Sequence, residues 1–370
     1  MTLRAATAIP IESVEVSAYS IPTDAPESDG TLTWNSTTFV LVRAHAGGTV
    51  GTGYTYGGTA VDTVIRDKLA EVITGEDALQ PPARWAAMQH AARNLGKPGV
   101  VAEAISAVDI ALWDLRARLL DEPLVVALGG VHEATPIYGS GGFTSYDNAT
   151  LCEQLCGWAD AGIPRVKMKV GRAPDSDIGR VSAARAAIGD DVELFVDANG
   201  AYQCKQALGW AQRFSEYGVR WFEEPVSSDD LDGLRRLSEN GPPGMDIAAG
   251  EYGYHLPYFQ QMLAAGAVDC LQADVTRALG ITGVLRVAAL CDARGMDLSL
   301  HCAPQISSQV GTAVWHLRHL EYFHDHVRIE GLAFDGVIEP EPGGVLRPDR
   351  TAPGHGLTVK QVDLDEFRVA

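Results

Sequence analysis

The chain has 370 residues, of which 46% are hydrophobic, and this is enough for about two domains with large cores. Its 48 acidic residues outnumber the 29 lysines and arginines, and the net charge of −19 argues against binding to nucleic acid or to an anionic membrane surface. The sequence contains no run of 18 apolar residues that could span a membrane, and no G-x-x-x-x-G-K-[ST] or strand-borne G-x-G-x-x-G motif supports a nucleotide cofactor.

Two features of the sequence predict a cytoplasmic protein. Residues 1–11 lack a basic segment followed by a long apolar one, so we expect no secretory signal. The six cysteines form no Cys-x-x-Cys pair, and we expect them to be reduced and mostly buried.

Residues 1–130 are predicted to form an α+β domain. Strands are expected at residues 14–19 and 38–43, and the polar stretch 23–38 between them is predicted to be a mobile loop. Further along, apolar residues recur at steps of three and four from Ile105 to Leu119. This spacing predicts a helix with one buried stripe.

Beyond about residue 135, short strand-like runs alternate with helix-like segments. The spacing of roughly 25 to 30 residues between them is typical of the βα repeat of a TIM-type barrel. The runs are 136–139, 165–169, 192–197, 219–223, 246–250, 267–272 and 296–301, with a last strand near 319–322 or 327–329. Asn148 is a candidate N-cap, and Gly162 a candidate C′ residue, for the first intervening helix. Residues 341–370 are expected to return to the N-terminal domain.

Two of the six lysines, Lys167 and Lys169, stand one residue apart on a predicted strand. Residues i and i+2 of a strand face the same side, so the two ammonium groups would lie close together and lower each other's pKa. A lysine with a lowered pKa can act as a base near neutral pH. Taken alone, such a pair is more often two solvated lysines on an exposed strand, and the residues downstream reverse that expectation.

Acidic residues follow three successive predicted strands. They are Asp197, Glu223 and Glu251, spaced 26 and 28 residues apart. Because chemistry in such barrels lies at the carboxyl ends of the strands, the three carboxylates are expected to converge on one rim. Convergent carboxylates repel unless a cation lies between them, and oxygen ligands suit Mg²⁺. The sequence therefore predicts a Mg²⁺ site.

His301 ends the seventh predicted strand and Asp274 follows the sixth. On neighbouring strands, Asp274 would orient one ring nitrogen of His301 and raise the basicity of the other. The lysines come from the second strand, so a substrate held by the metal would offer one face to them and the other to His301. This arrangement favours removal of a proton on one face and delivery of a proton on the other, or both by a single base.

Together these segments resemble the enolase superfamily, and within it the mandelate racemase subgroup. The matching segments, in order, are AISAVDIALWD (104–114), VKMKVG (166–171), VDANG (196–200), WFEEP (221–225), AGE (249–251), QAD (272–274) and LH (300–301). The resemblance implies an α/β fold, a modified TIM (β/α)7β barrel of residues 131–340. It also implies a capping domain formed by residues 1–130 and 341–370, and an assembly of identical subunits.

The resemblance further implies roles for the acids and lysines. Asp197, Glu223 and Glu251 would bind Mg²⁺. Lys169 would act as a base on one face of the substrate. Lys167 would lower the pKa of Lys169 and touch the substrate carboxylate.

On the other face the resemblance implies the pair formed by His301 and Asp274. Glu321 would hydrogen-bond the substrate carboxylate, and Asn199 and Glu224 would support the ligands or contact the substrate. The muconate-lactonizing branch uses a second lysine on the sixth strand. The chain has no lysine between residues 205 and 360, so that branch is disfavoured.

These residues predict abstraction of the proton α to the carboxylate of a small molecule, with Mg²⁺ holding the ene-diolate that forms. We favour dehydration of an acid sugar, an aldonate or aldarate, to a 2-keto-3-deoxy acid. The resemblance to the subgroup favours this reaction, and candidate substrate contacts carry hydrogen-bonding groups, among them Asn199, Trp34, Tyr54 and Ser140.

Three alternatives stay open. An apolar wall built by Trp34 and the tyrosines would favour a racemase or epimerase of a 2-hydroxy acid. Cycloisomerisation of a sugar lactone begins with the same proton abstraction. A barrel that binds Mg²⁺ and a sugar acid without catalysis would need neither Lys169 nor His301.

Overall fold

The structure is a computed structural model and describes residues 8–370. The expectation of no secretory signal concerns residues 1–11 and lies mostly outside the described residues. Among residues 8–370, no helix combines the length and the apolar character that a membrane crossing requires. The six cysteines all lie in this range and are free, as expected.

The N-terminal third of the chain is an antiparallel sheet packed against helices. Its strands lie in the order β1 (Ser13–Ser28), β2 (Thr33–Ala46) and β3 (Thr49–Tyr56). The helices are α1 (Ala60–Val64), α2 (Ala70–Ile73), α3 (Pro81–Ala91), α4 (Val100–Leu119) and α5 (Leu124–Ala127), with a π-helical turn at Ile65–Leu69. The predicted apolar stripe lies on α4, where Ile105, Val108, Leu112 and Leu115 are all buried.

The sheet and α4 approach so closely that no side chain fits between them. A Cβ atom at Gly51 or at Gly53 would lie 2.3 Å from a carbonyl oxygen of α4. Glycine at these two positions of β3 therefore permits the contact, which fixes α4 across the sheet.

The prediction of a mobile loop at residues 23–38 is wrong, because this segment is largely strand. β1 continues to Ser28 and β2 begins at Thr33, which leaves residues 29–32 as the turn. Glu27 pairs with Trp34, and the register shifts between Pro22 and Glu27, where β1 bulges. The composition of this segment is polar because the hairpin extends beyond the core of the cap, and this polarity suggested a loop where the chain forms strands.

Eight parallel strands form a closed barrel. They are β4 (Thr135–Gly141), β5 (Arg165–Lys169), β6 (Glu193–Asp197), β7 (Val219–Glu223), β8 (Asp246–Ala249), β9 (Cys270–Asp274), β10 (Leu298–His301) and β11 (Leu317–Phe323). Each strand pairs with the next in sequence, and β11 pairs with β4. Seven helices join them: α6 (Asn148–Asp160), α7 (Pro174–Ile188), α8 (Cys204–Ser215), α9 (Leu231–Asn240), α10 (Leu256–Ala265), α11 (Gly280–Asp292) and α12 (Pro304–Gly311). The predicted modified TIM barrel is confirmed.

Three local expectations can be checked on the barrel. The last strand is β11, at the first of the two expected positions, and residues 327–329 belong instead to helix α13 (His324–Ala333). The N-cap of α6 is Asp147 and not Asn148, because the Asp147 carboxylate accepts a hydrogen bond from Thr150 N at 2.9 Å. Gly162 follows the helix end with φ of 84°, as a C′ residue does.

An aromatic layer fills the barrel below the carboxyl ends of its strands. Tyr138, Phe195 and Trp221 are buried there, and the rings of Phe195 and Trp221 stack with centroids 5.5 Å apart. The Nζ atom of Lys167 lies 5.2 Å from the centroid of the Tyr138 ring. The layer closes the barrel from below, so the charged groups above it open only toward the cap.

The end of the chain contacts both the barrel and the cap. It forms strands β12 (Phe334–Asp335), β13 (Val345–Leu346) and β14 (Thr358–Val359) and helix α14 (Gln361–Asp365). β13 pairs with β4, whereas Ala18 N and Ser20 N of β1 donate hydrogen bonds to Ala370 O at 3.0 Å and Phe367 O at 2.8 Å. These bonds support the proposal that residues 341–370 belong with the cap.

Candidate metal centre and active site

Strand register places the predicted residues side by side at the carboxyl end of the barrel. Lys169 on β5 pairs with Asp197 on β6, and Asp197 pairs with Glu223 on β7. His301 on β10 pairs with Asp274 on β9. Strands β4 and β11 lie between β5 and β10, so the lysines and the histidine stand on different sides of the barrel mouth.

The three predicted metal ligands form one cluster. Asp197, Glu223 and Glu251 each offer an oxygen that lies within 4.8 Å of the other two, and all three side chains are buried. Oε1 of Glu223 has no hydrogen-bond partner, and neither has Oδ1 of the adjacent Asn199. Three clustered carboxylates, with buried carboxylate and amide oxygens that lack partners, fit a hard divalent cation such as Mg²⁺.

The charges within the cluster repel each other. Burial and the negative charges of Asp197 and Glu321 raise the pKa of Glu223 to about 8. The positive charge of Lys167 lowers this pKa but does not outweigh them. A cation among these oxygens would relieve that repulsion. The residues present therefore fit the predicted ion by charge as well as by ligand type.

Both lysines are buried and paired with acids. The Nζ atom of Lys167 lies 2.7 Å from Glu223 and 2.8 Å from Glu321, and that of Lys169 lies 2.5 Å from Asp197. Burial lowers the pKa of each ammonium group, but the paired carboxylates outweigh burial and raise both pKa values above the ordinary one. The expected net lowering is therefore wrong for this structure, although Lys167 does act on Lys169 in the predicted direction.

His301 is held on both sides of its ring. Its Nδ1 lies 2.7 Å from Asp274 Oδ2, and its Nε2 lies 3.1 Å from Glu251 and 3.3 Å from Glu321. Burial lowers the pKa of His301, but acidic groups around the ring outweigh burial and raise this pKa well above its ordinary value. These groups are Cys302, Glu251, Glu321 and Asp274. The surrounding acids therefore favour the imidazolium form of His301, in which Nε2 carries a proton toward Glu251 and Glu321.

Arg277 and Cys302 are two of the site residues that were not predicted from the sequence. Arg277 lies 3.7 Å from Glu251 and 3.7 Å from Asp274, and so adds positive charge beside both acids. The Sγ atom of Cys302 lies 3.3 Å from His301 Nε2. Their positions in the sequence could have indicated a role in the site, because Arg277 and Cys302 follow the ends of β9 and β10 by at most three residues.

Several residues at the carboxyl end of the barrel have a strained backbone. Asn199, Glu224 and Cys302 have φ of 46°, 37° and 50°, the left-handed region that residues other than glycine rarely adopt. Each follows the end of a barrel strand by one or two residues. Strain of this kind persists where the surrounding structure enforces it, as at ligand sites.

A cavity of about 330 Å³ opens above these groups, between the barrel and the β1–β2 hairpin. Lys169, Asn199 and His301 line its barrel side, and Trp34 and Tyr56 line its cap side. The size is that of a small-molecule site. The indole N–H of Trp34 donates to Glu27 at 2.7 Å, so Trp34 offers the cavity an apolar face and not the predicted hydrogen bond.

Three of the predicted substrate contacts do not line the cavity. Tyr54 is buried in the cap, where its hydroxyl donates to Glu330. Ser140 has no exposed surface and donates to Glu321 at 2.5 Å, so it supports that acid instead. Lys167 has no exposed surface either, because its amine is enclosed by carboxylates.

The hairpin turn rests directly on the barrel loops. A Cβ atom at Gly30 would lie 2.2 Å from Ala198 O and 2.8 Å from Val170 O. The carboxylate of Asp29 accepts hydrogen bonds from the N–H groups of residues 31 and 32 at 2.6 Å, which shapes the turn. The absence of a side chain at Gly30 thus allows the hairpin to roof the cavity.

Comparison with known proteins places this capped barrel among the enzymes of the enolase superfamily. Residues 13–129 match the mandelate racemase/muconate lactonizing enzyme N-terminal domain, and residues 150–363 match the enolase C-terminal domain-like family. The chain therefore belongs to the mandelate racemase/muconate lactonizing enzyme family, which confirms the resemblance seen in the sequence.

Three similar proteins illustrate the range of the family. The 3,6-anhydro-α-L-galactonate cycloisomerase of Streptomyces coelicolor is 33% identical, over 94% of this chain and 97% of that protein. A solved mandelate racemase/muconate lactonizing enzyme-like protein from Rubrobacter xylanophilus is 58% identical, with a TM-score of 0.95 over 97% of this chain and 100% of that one. The L-talarate/galactarate dehydratase from Salmonella typhimurium, solved with Mg and L-lyxarohydroxamate, is 25% identical, with a TM-score of 0.91 over 100% of this chain and 96% of that one.

Proposed function

We propose that this protein removes the proton α to the carboxylate of an acid sugar and then expels the oxygen substituent on the β carbon, which gives a 2-keto-3-deoxy acid. For an aldonate or aldarate the leaving group is water, and the protein is a dehydratase. One observation carries the proposal. Lys169 contacts one end of the acidic cluster, at Asp197, and His301 contacts the other end, at Glu251, and both line the same cavity.

The acidic cluster is the proposed metal site. Asp197, Glu223 and Glu251 would hold Mg²⁺, the ion bound in the solved Salmonella dehydratase. When bound, Mg²⁺ offsets the negative charge that develops on the substrate carboxylate as the α proton leaves. The residues themselves supply the geometry, since parallel strand register fixes Asp197 beside Glu223.

Lys169 is the proposed base. A base must be neutral to accept a proton, and the contact with Asp197 holds Lys169 as an ammonium group. This pairing has to weaken when ligands fill the site, so Lys169 is a base only in the loaded protein. Lys167, fixed between Glu223 and Glu321, then favours the neutral form of Lys169 through its own charge.

His301 is the proposed acid. The electron pair of the broken C–H bond forms a double bond between the α and β carbons as the β C–O bond breaks. The leaving oxygen takes the proton from Nε2 of His301, whose other nitrogen is oriented by Asp274 at 2.7 Å. The enol that results tautomerises to the 2-keto acid.

Two groups that line the cavity, Tyr56 from the cap and His326 from α13, suit a substrate with further hydroxyl groups. The buried hydroxyl of Tyr56 has no hydrogen-bond partner among the described residues. His326 stacks on Tyr56, burial lowers its pKa to about 3, and its Nδ1 accepts a hydrogen bond from Ala303 N at 3.3 Å. The ring is therefore neutral with its hydrogen on Nε2, a donor available to a sugar hydroxyl.

A second candidate is cycloisomerisation, favoured by the 33% identical relative from Streptomyces coelicolor. A 3,6-anhydro acid carries its ether oxygen on C3, the carbon β to the carboxylate. The same proton removal would then expel the ring oxygen and open the ring without release of water. The two candidates share Lys169 and His301 and differ in the leaving group.

The test is a panel of aldonates, aldarates, their lactones and 3,6-anhydro acids, incubated in D₂O with the Mg²⁺-loaded protein and followed by NMR. We expect a 2-keto-3-deoxy acid from at least one member. Formation of the keto acid from a linear acid identifies a dehydratase, and formation from an anhydro acid or a lactone identifies a cycloisomerase. Inversion at the α carbon with no elimination would refute the proposal and identify a racemase.

Variants then separate the two roles. Lys169→Ala should abolish turnover while Mg²⁺ still binds in a calorimetric titration. His301→Asn should stop product formation, yet still exchange the α proton for deuterium if Lys169 is the first base. Lys205→Ala, which changes an exposed lysine of α8, is the matched control and should behave as wild type. Full activity in Lys169→Ala would contradict the proposed base.

A further inference from the structure

A second group of metal-binding side chains lies outside the site described above. It joins the bulge of β1 to the first residue of α13, His324. Asp24, Glu27 and His324 each offer a ligand atom within 4.8 Å of the other two. Nε2 of His324 already lies 2.8 Å from Asp24 Oδ2.

Glu27 is the unusual member of this group. Its side chain has no exposed surface, its Oε2 accepts the Trp34 indole N–H, and its Oε1 has no hydrogen-bond partner. Burial raises the pKa of Glu27 to about 8, with further contributions from Asp325 and Asp24. A buried oxygen without a partner, beside other acids, requires either a cation or a proton.

The nearby positive charge of Arg328 is already paired with another acid, Asp325. Arg328 donates to Asp325 Oδ1 at 2.5 Å and to Pro22 O at 2.7 Å. Asp325 is itself buried and also accepts a hydrogen bond from Thr37. Arg328 and Asp325 therefore balance each other, which leaves the carboxylates of Glu27 and Asp24 without a full countercharge.

We propose that Asp24, Glu27 and His324 form a second divalent-cation site, which binds a first-row transition ion such as Zn²⁺. Imidazole together with carboxylate suits such an ion better than it suits Mg²⁺, which prefers oxygen ligands alone. The site is separate from the acidic cluster of the barrel, and its three ligands come from the hairpin and from α13.

The position of the site gives it a consequence for the cavity. Glu27 is bonded to Trp34, and Trp34 lines the cavity and packs edge-on against Phe143 at 5.6 Å between centroids. An ion that ties Glu27 and Asp24 to His324 would pin the hairpin to the barrel at the point where β11 ends. The bound ion would then fix the position of the hairpin that covers the cavity.

The test is a calorimetric titration of Zn²⁺ into the full-length, chelator-treated protein after saturation with Mg²⁺. Zn²⁺ can also compete for the acidic cluster, so the comparison between variants decides. We expect Asp24→Asn and His324→Gln to bind one Zn²⁺ fewer than wild type, or to bind it at least tenfold more weakly. Both side chains are partly exposed, at 47% and 26%, so both variants should fold, and circular dichroism checks this.

His90→Gln, a change of an exposed histidine on α3, is the control and should leave Zn²⁺ binding unchanged. The rise in the unfolding midpoint on addition of Zn²⁺ should be smaller in Asp24→Asn and His324→Gln than in wild type. Identical Zn²⁺ stoichiometry, affinity and midpoint shift in wild type and both variants would overturn the proposal, and a proton on Glu27 would then account for its burial.

Discussion

Gly30→Ala is the sharpest test of how the hairpin and the barrel cooperate. The added Cβ atom would lie 2.2 Å from the carbonyl oxygen of Ala198, and real Cβ atoms do not approach closer than 3.0 Å. That oxygen belongs to the main chain at the end of β6 and cannot rotate away. The turn must therefore withdraw by about 0.8 Å, from 2.2 to 3.0 Å, and carry Trp34 and the other roof residues with it.

The expected cost follows from this displacement. A misplacement of about 1 Å in an active site can lower a rate by roughly 10²-fold, which corresponds to about 2.7 kcal/mol of transition-state stabilisation. We expect kcat/KM of Gly30→Ala on the substrate identified by the panel to fall by about that factor. The affinity for Mg²⁺ should not change, because the proposed ligands come from the barrel strands and not from the hairpin.

The assay is steady-state kinetics combined with thermal unfolding. Gly157→Ala is the matched control, because a Cβ at that position on α6 meets no atom within 4 Å. It should keep wild-type kinetics and gain slightly in stability from its better helix propensity. If Gly30→Ala keeps kcat/KM within twofold of wild type, the hairpin does not position the substrate and the reasoning fails.

Two further predictions concern buried acids. Asp274→Asn should lower turnover by roughly 10²- to 10⁴-fold, because His301 loses the carboxylate that orients Nδ1 at 2.7 Å. Measurements of kcat on the variant, with its fold checked by circular dichroism, would show this. Burial raises the pKa of Glu330 from 4.5 to about 8, so its neutral form stabilises the fold fully below pH 4.5, and this contribution is lost as the pH rises to 8. That difference is worth about 5 kcal/mol, so Glu330→Gln should be more stable than wild type at pH 9 and similar at pH 5 in thermal unfolding. Parallel pH profiles for both proteins would contradict this assignment of Glu330.

The barrel was predictable because its signals are local. Strands such as Arg165–Lys169 and Val219–Glu223 are short runs in which apolar and charged residues are mixed and which end in a charged residue, and both have the predicted bounds. The strand-end position of Asp197, Glu223 and Glu251 then follows from the repeat alone. Residues 23–38 were misread because their strand character comes from pairing with each other and from contact with distant barrel loops.

The electrostatics of the site could not be read from the sequence. Lys167 and Lys169 were expected to act mainly on each other, but each forms an ion pair with a carboxylate from another strand. Cys302 gave no signal as a single cysteine, and its contact with His301 depends on a left-handed backbone at the end of β10. Tyr54 was indistinguishable from Tyr56 in sequence, and only the packing of the cap separates the buried ring from the one that meets the cavity.

The seam between β11 and β4 has a consequence for how the protein is made. It joins residue 320 to residue 137, and one of the two closest partners of Lys167, Glu321, arrives only with it. Until translation has passed that point, the growing chain carries an open sheet with a buried lysine short of one carboxylate, and open sheet edges recruit other chains. We therefore expect that slow translation of the β11 segment prolongs this open state and increases aggregation.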